Sequence, residues 1–131
     1  GDVDMTVQPE PPEVKYAEFF EKSKETEYHK VQIAEEMLLQ FPDHTGADLC
    51  FFAAKHAIQA CLAMKGLGYS SKVSVLLPLV REHIGEDIAE RFKKLFSLYI
   101  KSEYSPEFLS PEESAQCVSE AKEILRRCYR K

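Results

Sequence analysis

The chain has 131 residues, 44% of them hydrophobic and 30% charged. That size and balance fit one globular domain, which buries about two-thirds of the surface its unfolded chain exposes. The formal net charge of -5 argues against an overall basic, nonspecific polyanion binder but leaves nucleic acid open.

Residues 1–12 contain Pro9, Pro11 and Pro12 among Asp2, Asp4 and Glu10, and read as a flexible lead-in. The lead-in has no apolar stretch of a secretory signal. No run approaches the ~18 consecutive apolar residues of a membrane span. A cytoplasmic setting away from membranes is expected.

A helical pattern covers residues 13–41. Phe20, Val31, Ala34, Leu38 and Phe41 recur on one face at the 3.6-residue period. Glu18 and Lys22 make a favourable i,i+4 pair. The stretch 21–30 is polar on most faces, which allows a break there, and Pro42 ends the element.

The second helix is expected over residues 49–64. Thr45-Gly46-Ala47-Asp48 resembles a capping box, and Gly66-Leu67-Gly68 is a glycine-rich stop. Apart from Lys55, His56 and Gln59, the segment is apolar all round. Such a helix is covered on most sides, which makes it the centre of a bundle or an element covered by a second subunit.

A short third helix spans residues 73–84, with Leu76, Leu77, Val80 and Ile84 on its apolar face. Pro78 predicts a start near Leu77 or an irregular first turn. The fourth runs over 87–102 with an Ile88, Phe92, Leu95, Tyr99 stripe, and a loop follows over 103–109. Ser110-Pro111-Glu112-Glu113 is a strong start for the fifth helix, with Ala115, Val118, Ala121, Leu125 and Cys128 on one face. No alternating run of useful length suggests a strand. The fold class is therefore all-α, an up-and-down bundle of about five helices.

Four cysteines raise the question of disulfides or zinc. Cys50 and Cys61 lie 11 apart, as do Cys117 and Cys128 (61 − 50 and 128 − 117). Eleven residues is about three turns, so neither pair can bond along its own helix. No C-x-x-C or H-E-x-x-H occurs, so no metal site and no cofactor are expected. The cysteines read as small buried apolar residues of a reducing compartment. Arg126, Arg127, Arg130 and Lys131 crowd the C-terminus, where they either stabilise a helix end or meet a polyanion.

Two features carry candidate chemistry. Asp48, Lys55 and Gln59 share one side of the second helix, with His56 adjacent. Polar groups on so apolar a helix face water, a partner or one another. The other feature is Lys101-Ser102-Glu103-Tyr104-Ser105-Pro106, at the end of the fourth helix.

Over residues 13–131, taken as a single domain, the pattern resembles the HEPN-domain family, small helical bundles often encoded beside a nucleotidyltransferase. The resemblance rests on the Phe-Phe-Ala-Ala-Lys-His-Ala-Ile-Gln-Ala segment of residues 51–60, the Tyr99-Ile100-Lys101-Ser102-Glu103-Tyr104 end of the fourth helix, and Ala121-Lys122-Glu123-Ile124-Leu125 in the last. Many relatives carry Arg-Tyr-Pro at the end of the fourth helix, and active HEPN ribonucleases use an Arg followed four to six residues later by a His. Here Glu103 takes the Arg place, and Glu107, Phe108, Leu109 and Ser110 follow where the His would stand. A carboxylate there repels the phosphate it should stabilise.

The resemblance thus implies a noncatalytic domain without catalytic residues. It would form a homodimer through the second and fourth helices and bind a partner protein, possibly a nucleotidyltransferase, or a nucleotide. Lys55, His56, Gln59, Lys101, Glu103 and Tyr104 are its candidate ligand-binding residues. The rival reading is a ribonuclease toxin of a toxin–antitoxin pair, using rearranged residues such as His56, His83 or Arg81.

Overall fold

The computed structural model describes residues 12–40, 46–67 and 70–130. Phe41, Pro42, His44, Thr45, Gly68, Lys131 and most of the expected lead-in lie outside them. Among the described residues the elements are α1 (Pro12–Gln40), α2 (Ala47–Met64), α3 (Val73–His83), α4 (Glu86–Tyr104) and α5 (Pro111–Cys128). None is long and apolar enough to cross a membrane.

Four long helices alternate in direction, and α3 sits in the connection between α2 and α4. The cross-helix pairs fix the directions. Glu35 on α1 meets Lys122 on α5, while Ser23 meets Tyr129 just past its end, so α1 and α5 are antiparallel. Asp87 meets Arg127 and Lys101 meets Glu113, so α4 and α5 are antiparallel too. The bundle is thus up-and-down in its four long members, and α3 packs mainly on α4.

At the centre is α2, which touches each of the other four helices. Its Ala53, Ala54, Ala57 and Ala60 are buried, and their small side chains let neighbouring backbones come close. Phe51 is the aromatic hub. It stacks on Tyr99 at 4.4 Å and on Phe92 at 5.8 Å between ring centroids.

Several sequence expectations are corrected. The polar stretch 21–30 does not break α1, because Ser23 and Glu27 turn inward and are buried. Pro12 opens α1 rather than belonging to the lead-in, since the first helical position needs no N–H donor. The cap of α2 is Gly46 with φ 62° and no side-chain hydrogen bond, and Thr45, where the expected capping box begins, lies outside the described residues. Pro78 lies inside α3 without displacing its start. Both Pro78 and Ser74 are exposed, so water can serve the Ser74 carbonyl that Pro78 cannot bond. Helix α4 runs through Tyr104, so Glu103 and Tyr104 are helical rather than in a loop. Ala115 faces solvent, whereas Val118, Ala121, Leu125 and Cys128 are buried.

The start of α5 forms as read. Ser110 Oγ accepts a hydrogen bond from the Glu113 amide at 3.1 Å, and the Ser110 amide donates to Glu113 Oε1 at 2.9 Å.

Candidate functional site

The six candidate residues separate into three places. His56 and Gln59 face a cleft between α1 and α2 of about 370 Å³. Its floor is Glu27, a carboxylate only 4% exposed. Lys30 Nζ donates to Glu27 Oε1 at 2.7 Å, and His56 Nδ1 lies 3.2 Å from the same oxygen. His56 Nδ1 is also 3.2 Å from Lys30 Nζ. One ring nitrogen cannot donate to Glu27 and accept from Lys30 at once, so the imidazole tautomer selects its partner. A buried carboxyl group needs such hydrogen-bond partners. Gln59 Nε2 donates to the Ser70 carbonyl at 3.0 Å, which ties α2 to the segment before α3. The sequence reading missed Glu27 and Lys30. Their signal was the polar stretch of the first helix, which has a charged residue on its inner face.

Lys55 and Tyr104 meet in a second place, a groove of about 700 Å³ between α2, α3 and α4. The Lys55 ammonium sits 5.1 Å from the Phe52 ring centroid and 5.7 Å from that of Phe51, within cation–π range. Tyr104 is 75% exposed. Lys72 and Lys93 also line the groove, and no Asp or Glu does among the described residues. Several cations elsewhere have carboxylate partners. Arg81 pairs with Glu86 and Glu90, Arg91 with Glu120, Lys122 with Glu35, Arg126 with Glu123 and Arg127 with Asp87. The groove is therefore a locally positive, aromatic surface on an acidic protein. The Tyr99 phenol is pushed up by burial and, beyond that, by Tyr104, Glu103 and Asp48, which puts two carboxylates near the rim.

Lys101 belongs to neither place. Its Nζ donates to both Glu113 carboxylate oxygens, at 3.1 and 3.0 Å. The Glu113 carboxyl is held below the usual range first by the Ser110 amide and then by Lys101. Lys101 thus fastens α4 to the start of α5. Glu103 is exposed in the last turn of α4.

The residues of the rival nuclease reading have different neighbours. His56 bonds to Glu27 on α1, Arg81 to Glu86 and Glu90 on α4, and His83 Nε2 lies 3.7 Å from Glu82 Oε2. Among the described residues, no group of three His, Cys, Asp or Glu side chains could hold a metal ion. At the C-terminal end, Arg126 and Arg127 are engaged by Glu123 and Asp87, which favours the structural reading of those cations.

A family model described as HEPN domain matches residues 47–131, from the first residue of α2 onward and over well over half the chain. A search of curated proteins finds no match.

Proposed function

From the premise that the chain belongs to the HEPN family, we propose that it is a noncatalytic binding domain whose groove between α2, α3 and α4 takes a phosphate-bearing ligand of the nucleotide class. One observation carries this reading. Lys55, Lys72 and Lys93 line an aromatic wall that holds no carboxylate among the described residues. Bases stack on aromatic faces whatever their sequence, and lysine ammoniums serve phosphates as point charges. The noncatalytic part rests on Glu103, which occupies the place of the family's arginine.

Charge also weighs on the identity of the occupant. A homodimer through the second and fourth helices would use this same face. A two-fold interface sets identical patches against each other, so the three lysines of each copy would face those of the other. An anionic ligand offsets that charge instead. A nucleotidyltransferase partner fits the same reading, since it would bring nucleotides to the groove. Four free thiols support a cytoplasmic setting.

The test is calorimetry of ATP, AMP and adenosine against the wild type and the Lys55→Glu/Lys72→Glu/Lys93→Glu variant. ATP should bind the wild type, weaken with added salt, and lose about tenfold or more in the variant, which is ~1.4 kcal/mol. Equal ATP affinity in both proteins, or none in the wild type, overturns the reading. RNA cleavage that survives EDTA and disappears in His56→Ala/His83→Ala would replace it with the ribonuclease one.

A further inference from the structure

The two cysteine pairs lie on neighbouring helices that run in parallel. Antiparallel contacts of α1 with both α2 and α5, through Glu27–His56 and Glu35–Lys122, set α2 and α5 in the same direction. The equal spacing of 11 then places the four thiols as two cross-helix rungs. Cys50 and Cys117 interact in one, and Cys61 and Cys128 interact and line one cavity in the other. No bond can form along either helix, but the rungs run across them.

The rungs differ in surroundings. Cys50, in the first turn of α2, and Cys117 are fully buried, whereas Cys61 is 8% exposed. Cys61 and Cys128 line a cavity of about 550 Å³ with Lys65 and Arg130. Cys61 is in the last turn of α2, and Cys128 is the last residue of α5. The end of α5 adjusts more readily than its middle, where Cys117 lies, so the Cys61 and Cys128 sulfurs can close to the bond length of about 2 Å.

We propose that Cys61 and Cys128 form a peroxide-reactive dithiol that closes to a disulfide between α2 and α5. The Cys61 thiolate attacks one oxygen of hydrogen peroxide and the O–O bond breaks. The departing hydroxide takes up a proton as water, leaving a sulfenic acid on Cys61. The Cys128 sulfur then displaces hydroxide from the Cys61 sulfur. That hydroxide takes the Cys128 proton and leaves as a second water. The two thiols are oxidised by two electrons, and the peroxide is reduced to two waters.

Electrostatics assigns the order. The Cys61 thiol is lowered to about 7 by the hydrogen bond from Cys128, which outweighs its burial, with help from Lys65. Cys128 is pushed well up, first by that same bond and then by burial. Cys61 is thus the attacking thiolate and Cys128 the resolving thiol. In the other rung, burial pushes Cys50 far up and Cys117 up to about 12, so those thiols stay protonated and inert.

The experiment treats the folded, reduced protein with hydrogen peroxide, blocks free thiols and maps peptides without reduction. A Cys61–Cys128 peptide reversed by dithiothreitol is expected, with Cys50 and Cys117 alkylated only after unfolding. In Cys128→Ser, dimedone should trap a sulfenic acid on Cys61, at a rate that rises with pH. Cys61→Ser should give neither product. Four free thiols after peroxide in the wild type, or a Cys50–Cys117 link formed first, overturns the proposal. The wild-type map decides the matter even if a variant fails to fold.

Discussion

Ser23 Oγ and Tyr129 Oη lie 2.6 Å apart in a buried hydrogen bond between residues 106 apart in sequence. The Tyr129 ring also meets Phe20 edge-on at 5.3 Å. Tyr129 ends α5, so this contact clamps the last turn of the bundle to α1. Burial pushes the Tyr129 phenol up despite the Ser23 bond, so the hydroxyl stays protonated over the whole neutral range.

Tyr129→Phe keeps the ring and removes the hydroxyl, leaving Ser23 without its partner. It should cost about 1 kcal/mol in urea denaturation, and Ser23→Ala should cost a similar amount. The double variant should cost less than the sum of the two, because only one bond is lost. Additive losses would mean that the two hydroxyls act independently.

Gly46→Ala should destabilise by about 2–4 kcal/mol, combining left-handed strain with overpacking. Gly46 has φ +62°, and a Cβ there would come 2.8 Å from Ala34 Cβ. Ala34→Gly in the same chain removes the Cβ contact but leaves the Ala34 Cα at 3.0 Å and the strain, so it should recover only part of the loss. Wild-type stability of Gly46→Ala would show that α1 and α2 separate easily at this end.

The start of α5 makes the fold acid-sensitive. Glu113 and Asp87 are both held below the usual carboxylate range, Glu113 first by the Ser110 amide and Asp87 first by Arg127. A depressed folded pKa contributes stability that is present above the unfolded value and lost as pH falls through the folded one. The melting temperature should therefore drop as pH falls below the ordinary carboxylate range, and drop less steeply in Glu113→Gln. Ser110→Ala should cost roughly 1 kcal/mol at neutral pH. Identical acid slopes for wild type and Glu113→Gln would remove Glu113 from this account.

Glu103→Arg reverses a charge near the rim of the groove. It should raise ATP affinity several-fold, with a gain that shrinks as salt is added. Unchanged affinity across both salts would mean that the end of α4 does not face the ligand.

Periodicity and end signals in the chain were enough to place all five helices, the central role of α2 and the cap at Ser110. Those features depend on residues within a few positions of one another, where backbone geometry and local hydrogen bonds decide the outcome. The buried Phe51, Ala54 and Ile58 follow from an apolar helix that must be covered. Local reasoning failed where a distant partner intervenes. Glu27 on α1 is buried because His56 from α2 and Lys30 share its charge. Lys101 leaves the candidate site because Glu113 captures it. Lys55 and Tyr104 line one groove because α4 continues two residues past its expected end. The equal cysteine spacings were visible in the chain, but only the shared direction of α2 and α5 turns them into facing pairs. Pairing across helices depends on how whole elements pack, and that is set by the summed burial of the core rather than by any short stretch of sequence.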